Sequence, residues 1–210
     1  MTLDFARPVV LALHYQNEVL HPDGQFPFGA GGQAEVRERV VHTAQALMRC
    51  ARRRAWPIVH VRIAFREDYA DVRQNCRIFR TVVAQGAMKD GSWGAQFLEG
   101  LGPLAGEPVI THHRINAFYG SSLAALLQSL EASVLIVAGV ATNSVVEHTV
   151  RHATDMGFES LVLADACGAA SPGLHDGALE NLRLVAEVAL LSELVCCGEP
   201  KPAAEGVRHV

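Results

Sequence analysis

Lysine is scarce in this sequence: only Lys89 and Lys201 carry one, so a motif that calls for a lysine has almost nowhere to find it. No CxxC spacing links the five cysteines, Cys50, Cys76, Cys167, Cys196 and Cys197, and an odd count fits reduced thiols better than a disulfide framework. Core filling is the expected role of the adjacent Cys196 and Cys197, which end an apolar run. No apolar run approaches the roughly 20 residues needed to span a bilayer. The N-terminus MTLDFARP has no signal-peptide pattern, so a cytoplasmic protein with no membrane partner is expected. Positive charge is not in excess either. The formal net charge is -4, and Arg52, Arg53 and Arg54 form a cluster short enough to be a solvated helix end, which argues against nucleic acid as a partner. There is no internal repeat and no low-complexity region.

What is present is an alternation of short apolar runs with longer segments of helical period. Strands are expected at 8–14 (PVVLALH), 57–63 (PIVHVRI), 108–112 (PVITH), 134–138 (VLIVA), 160–164 (SLVLA) and near 193–197. Their two-sided apolar character suits strands covered on both faces. Residues 33–54 place Val36, Val40, Ala44, Leu47 and Ala51 on one face, as an amphipathic crossover helix does. Segments 121–130, 143–156 and 176–189 behave likewise, with Ser121 or Ser122 as an N-cap for the first and Gly157 as the stop of the second. Residues 64–92 are expected to form a long polar loop, a lid or a subunit contact. The fold class is α/β: a three-layer α/β/α sandwich around a central, mostly parallel six-stranded sheet. One domain is expected over 1–197, with a fraying tail at 198–210.

The first strand ends on His14, and the C-terminal end of a central strand is where open α/β sheets usually bind ligands. Three stretches, LALHYQNEV, VITHHRINAFYGSSL and AGVATNSVVEHTVRHATDMGF, with the following LVLADACGAAS, resemble the isochorismatase-like hydrolases in order and spacing. That resemblance implies the Rossmann-like topology just described. It also implies a catalytic aspartate ending the first strand, a lysine ending the third and a cysteine opening the helix after the fourth, the cysteine attacking a carbonyl as thiolate. Here those three columns hold His14, His112 and Val145. The phase of Thr142, Glu147, Thr149, Arg151 and Ala153 is kept, so an alignment slip does not explain the change. Val145 has no nucleophilic atom, so the acyl-enzyme route cannot run at that position.

Two imidazoles can exchange protons near neutrality, and His14 with His112 is read as an acid–base or electrostatic pair across adjacent strands. The resemblance further implies a cis peptide before Ala141 and backbone amides around Ala141 and Val145 that hold a carbonyl or carboxylate. Tyr15, Trp93, Asn116, Phe118, Val140, Ala141 and Ser144 complete the expected substrate pocket. Gln16 and Asn17 are expected to tie the following loop. Ser144, Cys76 and Cys167 are the possible substitute nucleophiles. A zinc site from His14, His112 and His113, with Glu147 and His148 nearby, is the competing reading, weakened because His112 and His113 are consecutive on a strand. No metal and no cofactor are expected. Arg62, Arg66, Arg73, Arg77 and Arg80 could attract a carboxylate substrate or an acidic subunit face. The expected function is a small-molecule hydrolase or related enzyme without a cysteine nucleophile, the alternative being a catalytically silent binding protein. The resemblance also implies a homodimer or homotetramer built through helices near 121–156.

Overall fold

Every second residue of β1 (Pro8–Leu13) belongs to a different side of the molecule, and all six are buried. Val9, Leu11 and Leu13 pack into one apolar cluster, Val10 and Ala12 into the other. This is the period-two alternation of a strand buried on both faces. The computed structural model describes residues 6–26, 29–30 and 32–196. The expected tail at 198–210 lies outside these residues.

Five further strands join β1: β2 (Ile58–Ile63), β3 (Val109–His112), β4 (Val134–Gly139), β5 (Glu159–Leu163) and β6 (Glu187–Ala189). The order is β3-β2-β1-β4-β5-β6, and every neighbouring pair is parallel. The chain therefore winds outward in one direction from β1 and in the other from β4. That places a topological switch point between the C-terminal ends of β1 and β4.

Helices cover both faces. After the short α1 (Asn17–Leu20), α2 (Ala34–Arg53) buries Val40, Ala44, Leu47, Met48 and Ala51 against the Val10 face. Its arginines and glutamates lie on the solvent side, as its sequence period requires. The 64–92 segment is not all loop. It contains α3 (Arg77–Gln85), which buries Phe79 and Val82 in the same cluster and ends at Gly86 with φ +66°. On the Leu11 face lie α4 (Leu123–Ser129), α5 (Glu147–Asp155) and α6 (Pro172–Leu182), through Leu127, Val150 and Leu182 among others.

Two sequence-based boundaries fail near the C-terminus. α6 starts earlier than expected, because Ser171 accepts the Leu174 N–H and Pro172 opens the helix. The chain then turns after Leu182, and 187–189, expected as helix, is β6. The expected last strand near 193–197 is instead α7 (Leu191–Cys196), whose Leu191 and Leu194, three apart, both bury against the α2 side. Cys197 lies outside the described residues. In the 143–156 segment, a π-helical turn (Thr142–Val146) precedes α5, and Gly157 at φ +89° ends it.

Gly139 is the tight point of the switch region. It pairs in register with Leu13, and a Cβ built on it would sit 2.3 Å from the Leu13 carbonyl oxygen. Since that oxygen is backbone, it cannot swing aside. Gly139→Ala is expected to destabilise the fold by about 1–3 kcal/mol, the usual cost of overpacking, read as a lower urea midpoint with an unchanged slope. An unaltered midpoint would mean that β1 and β4 separate freely at their ends.

Candidate active site

His14 leaves β1 in the left-handed region, φ +55°, while its own N–H still donates to the Val61 carbonyl at 2.9 Å. Histidine is among the few non-glycine residues that tolerate this conformation. His112, the last residue of β3, is fully buried. β2 separates the two strands, so the expectation of a contact across adjacent strands is corrected: the histidines belong to next-nearest strands and meet across the intervening one. The left-handed turn at His14 takes the ring out of the strand's own alternation. The two Nε2 atoms lie 2.5 Å apart, with the ring centroids separated by 4.8 Å.

The proton arrangement follows from what each ring faces. His112 Nδ1 lies 3.2 Å from the Asn116 carbonyl oxygen, which can only accept, so Nδ1 carries the proton. In the neutral ring, His112 Nε2 is then an acceptor. His14 Nε2–H must donate to it, leaving the lone pair of His14 Nδ1 unused. No described residue hydrogen-bonds that nitrogen, and His14 lines a cavity. Both rings are held neutral. Burial, then the neighbouring His112, pushes His14 well below the usual histidine value. Burial chiefly lowers His112 to about 4, against a raising effect from the Asn116 carbonyl.

The cavity is narrow, with a volume of about 40 Å³, and opens at the switch point. Ile63, at the end of β2, and Val140 and Ala141, just past β4, line its floor with His14. Ile78, Phe79 and Val82 of α3 form a wall, so the segment expected as a polar lid contributes its apolar helix face to the pocket. Ser144 of the π-helical turn also lines it, together with Arg114 beyond β3. The Val140–Ala141 peptide is cis. The Ala141 N–H has no backbone acceptor among the described residues, while its carbonyl accepts from Ser144 and Val146.

The other expected pocket residues lie elsewhere. Tyr15 is buried with its hydroxyl donating to the Ala166 carbonyl at 2.7 Å, a core hydrogen bond that turns it away from the cavity. Trp93 is 47% exposed and packs edge-on against His21. Phe118 fills the opposite apolar layer beside His152 and Phe158. Asn116 holds His112 through its carbonyl and caps the Phe118 N–H with its side chain, a positioning role rather than a pocket wall. Val145 is packed in the Leu13 layer and does not line the cavity. Gln16 ties the end of β2 and Ala95 together by three hydrogen bonds, and Asn17 donates to Trp93.

The competing chemistries find less support in the geometry. His113 turns to Asp71 at 3.4 Å, and His148 to the Ser144 carbonyl, so neither joins the His14–His112 pair. Among the described residues no group of three histidine, cysteine or acidic side chains is arranged around a common metal position. Cys167 is buried, and burial pushes its thiol up to about 12, far from a reactive thiolate. Cys76 occupies the N-cap position of α3 without a side-chain capping bond, partly buried and not among the cavity-lining residues. The loop arginines do not reach the pocket: Arg62 pairs with Asp90 and Arg66 with Asp68. Arg114 was the charged lining residue missed, along with the apolar Ile63, Ile78, Phe79 and Val82; only its place two residues past His112 could have marked it.

A parallel α/β sheet with a cavity at its switch point places a candidate site where folds of this class bind small ligands. The isochorismatase domain model matches residues 8–193, and the chain belongs to the isochorismatase family of hydrolases. The uncharacterized isochorismatase family protein YecD of Escherichia coli O157:H7 is 28% identical over 163 residues, covering 76% of this chain and 82% of that protein. The ureidoacrylate amidohydrolase RutB of Methylorubrum extorquens is 33% identical over 104 residues, 49% of this chain, and the match spans only 42% of that relative's length. The crystal structure of an isochorismatase family protein from Desulfovibrio vulgaris shares the fold, with a TM-score of 0.80 at 23% identity over 91% of this chain and 97% of that one. No helix among the described residues is long and apolar enough to cross a membrane.

Proposed function

We propose that this protein is a small-molecule hydrolase that dispenses with a covalent nucleophile and uses His14 as its general base. The observation that carries the proposal is the free Nδ1 of His14 at the cavity, in a ring whose other nitrogen is engaged by His112. His14 Nδ1 takes a proton from a water. The water oxygen bonds to a carbonyl-type carbon, and the displaced electron pair moves onto the carbonyl oxygen beside the Ala141 N–H. On collapse the leaving group takes the proton back from His14. While His14 is cationic, its Nε2–H donates to the lone pair of His112, which in turn is held by the Asn116 carbonyl. Because burial disfavours that cation, His14 is a weak base but, once protonated, a strong acid toward the departing group. The proposed molecule is a single cytoplasmic domain over 1–197, assembled as a homodimer or homotetramer.

The test is mass-spectrometric turnover of a mixed panel of vinyl ethers, primary amides, ureides and enol acids, comparing wild type with His14→Ala. Product formed only by wild type supports the proposal. Ligand-dependent shifts in melting temperature without product from any substrate would favour a binding protein instead.

One observation favours a second reading: Ser144 lines the same cavity as His14. If it is a nucleophile, Ser144→Ala should lose turnover as completely as His14→Ala, and an acyl-enzyme adduct should be trapped by mass. Under direct water attack, Ser144→Ala keeps most of the wild-type rate and no adduct forms.

A further inference from the structure

We propose that Arg114 makes this cavity selective for small monocarboxylates with an apolar body, the carboxylate pairing with the guanidinium while the reacting group meets His14. The inference rests on the reading that the His14 cavity is the substrate site, and adds the chemical class of what enters it.

The argument begins with what Arg114 lacks. Its guanidinium face lies over the Phe79 ring at 4.6 Å, and one edge donates to the neutral Asn75 Oδ1 at 3.2 Å. No acidic side chain pairs with it among the described residues. Other arginines do have one: Arg52 is bound bidentately by Glu107, Arg62 meets Asp90 at 2.9 Å, and Arg66 meets Asp68 at 3.0 Å. Only partly exposed, Arg114 has N–H donors beyond the one given to Asn75, and it lines the cavity.

The rest of the lining cannot supply the missing charge. Among the described residues no aspartate or glutamate lines the cavity; His14 is held neutral, Ser144 is neutral, and the remaining side chains are hydrocarbon or thioether. A single permanent cation in an otherwise uncharged, largely apolar space favours a ligand that brings one negative charge. The planar fork of the guanidinium matches a carboxylate with two parallel N–H···O bonds. A phosphate dianion would leave about one charge uncompensated among Phe79, Ile78 and Ile115, so the monoanion is favoured. Ile78, Phe79 and Val82 along the α3 wall offer an apolar body a hydrocarbon surface to lie against.

The experiment measures binding rather than turnover, so it can fail independently of the catalytic proposal. Isothermal titration would compare phenylacetate with phenylacetamide, hexanoate with hexanamide, and phenylphosphonate as the dianion, on wild type, Arg114→Met, Arg114→Lys and His14→Asn. The expected result is that wild type binds each acid at least ~10-fold more tightly than its amide, the scale of one charge-assisted pair. That preference should vanish in Arg114→Met, survive in part in Arg114→Lys and persist in His14→Asn. Weaker binding of phenylphosphonate than of phenylacetate would support the monoanion. Equal binding of acid and amide, no binding of either, tighter binding of the phosphonate, or a preference unchanged in Arg114→Met would each overturn the proposal. Loss of turnover in His14→Ala with no acid preference would sink this inference and leave the general-base proposal standing.

Discussion

His14→Ala is expected to lower turnover of any substrate found by roughly 10²- to 10⁴-fold, the usual contribution of a positioned acid–base group, with little change in substrate binding. The reason is the division of labour between the rings. Of the two histidines His14 alone lines the cavity, so His112 does not replace it as proton acceptor there. His112→Asn should cost less. An asparagine amide can still donate to the Asn116 carbonyl, but it offers no imidazole lone pair to the His14 cation, and His14 is freer to adopt other rotamers. The expected order is wild type above His112→Asn above His14→Ala, with the loss in kcat rather than KM. Equal activity of wild type and His14→Ala would end the general-base proposal, whatever the substrate.

The sequence made the sheet legible because its strands are nearly all buried. Runs such as VVLAL and VLIVA can be buried on both faces only in a covered parallel sheet, and they place His14 at a strand end without any structural information. The helix α2 was readable from the period of Val40, Ala44, Leu47 and Ala51. Arginines obscured α3: in CRIFRTVVAQG the polar residues suggest loop, whereas Phe79 and Val82 need only a two-turn helix to reach the core. Near the C-terminus, LSELVCC has enough apolar content for a strand, and only the spacing of Leu191 and Leu194 gives away the helix. The His14–His112 pairing was visible as two columns of one motif set, but the intervening strand was not. Strand order is a tertiary property, and here the third strand is separated from the first by β2. The pocket walls were the least legible part. Aromatic residues near the motifs, such as Tyr15 and Phe118, attract attention, yet a buried ring is as well used in the core, and the local sequence does not say which side of the sheet it faces.

The neutrality of the two rings sets the protein's response to acid. Unfolded, each histidine titrates near 6.5; folded, both are held lower, His112 to about 4. Between these values the unfolded chain binds protons that the folded chain refuses, so stability rises with pH across the interval and falls as acid is added. The stabilisation is fully present above about pH 6.5 and is lost as the pH drops toward 4, on the order of 3 kcal/mol for a shift of His112's size. His60 and His175, also lowered mainly by burial, add to the slope with the same sign. Subtraction isolates the pair: urea midpoints measured from pH 7.5 to 4.5 should fall more steeply for wild type than for His112→Asn. That variant removes one titrating ring and the charge that would oppose protonation of the other. Parallel curves would mean that the folded protein already carries a proton on the pair near neutrality. His14 would then face the cavity as a donor, and the chemistry would have to begin with an acid rather than a base.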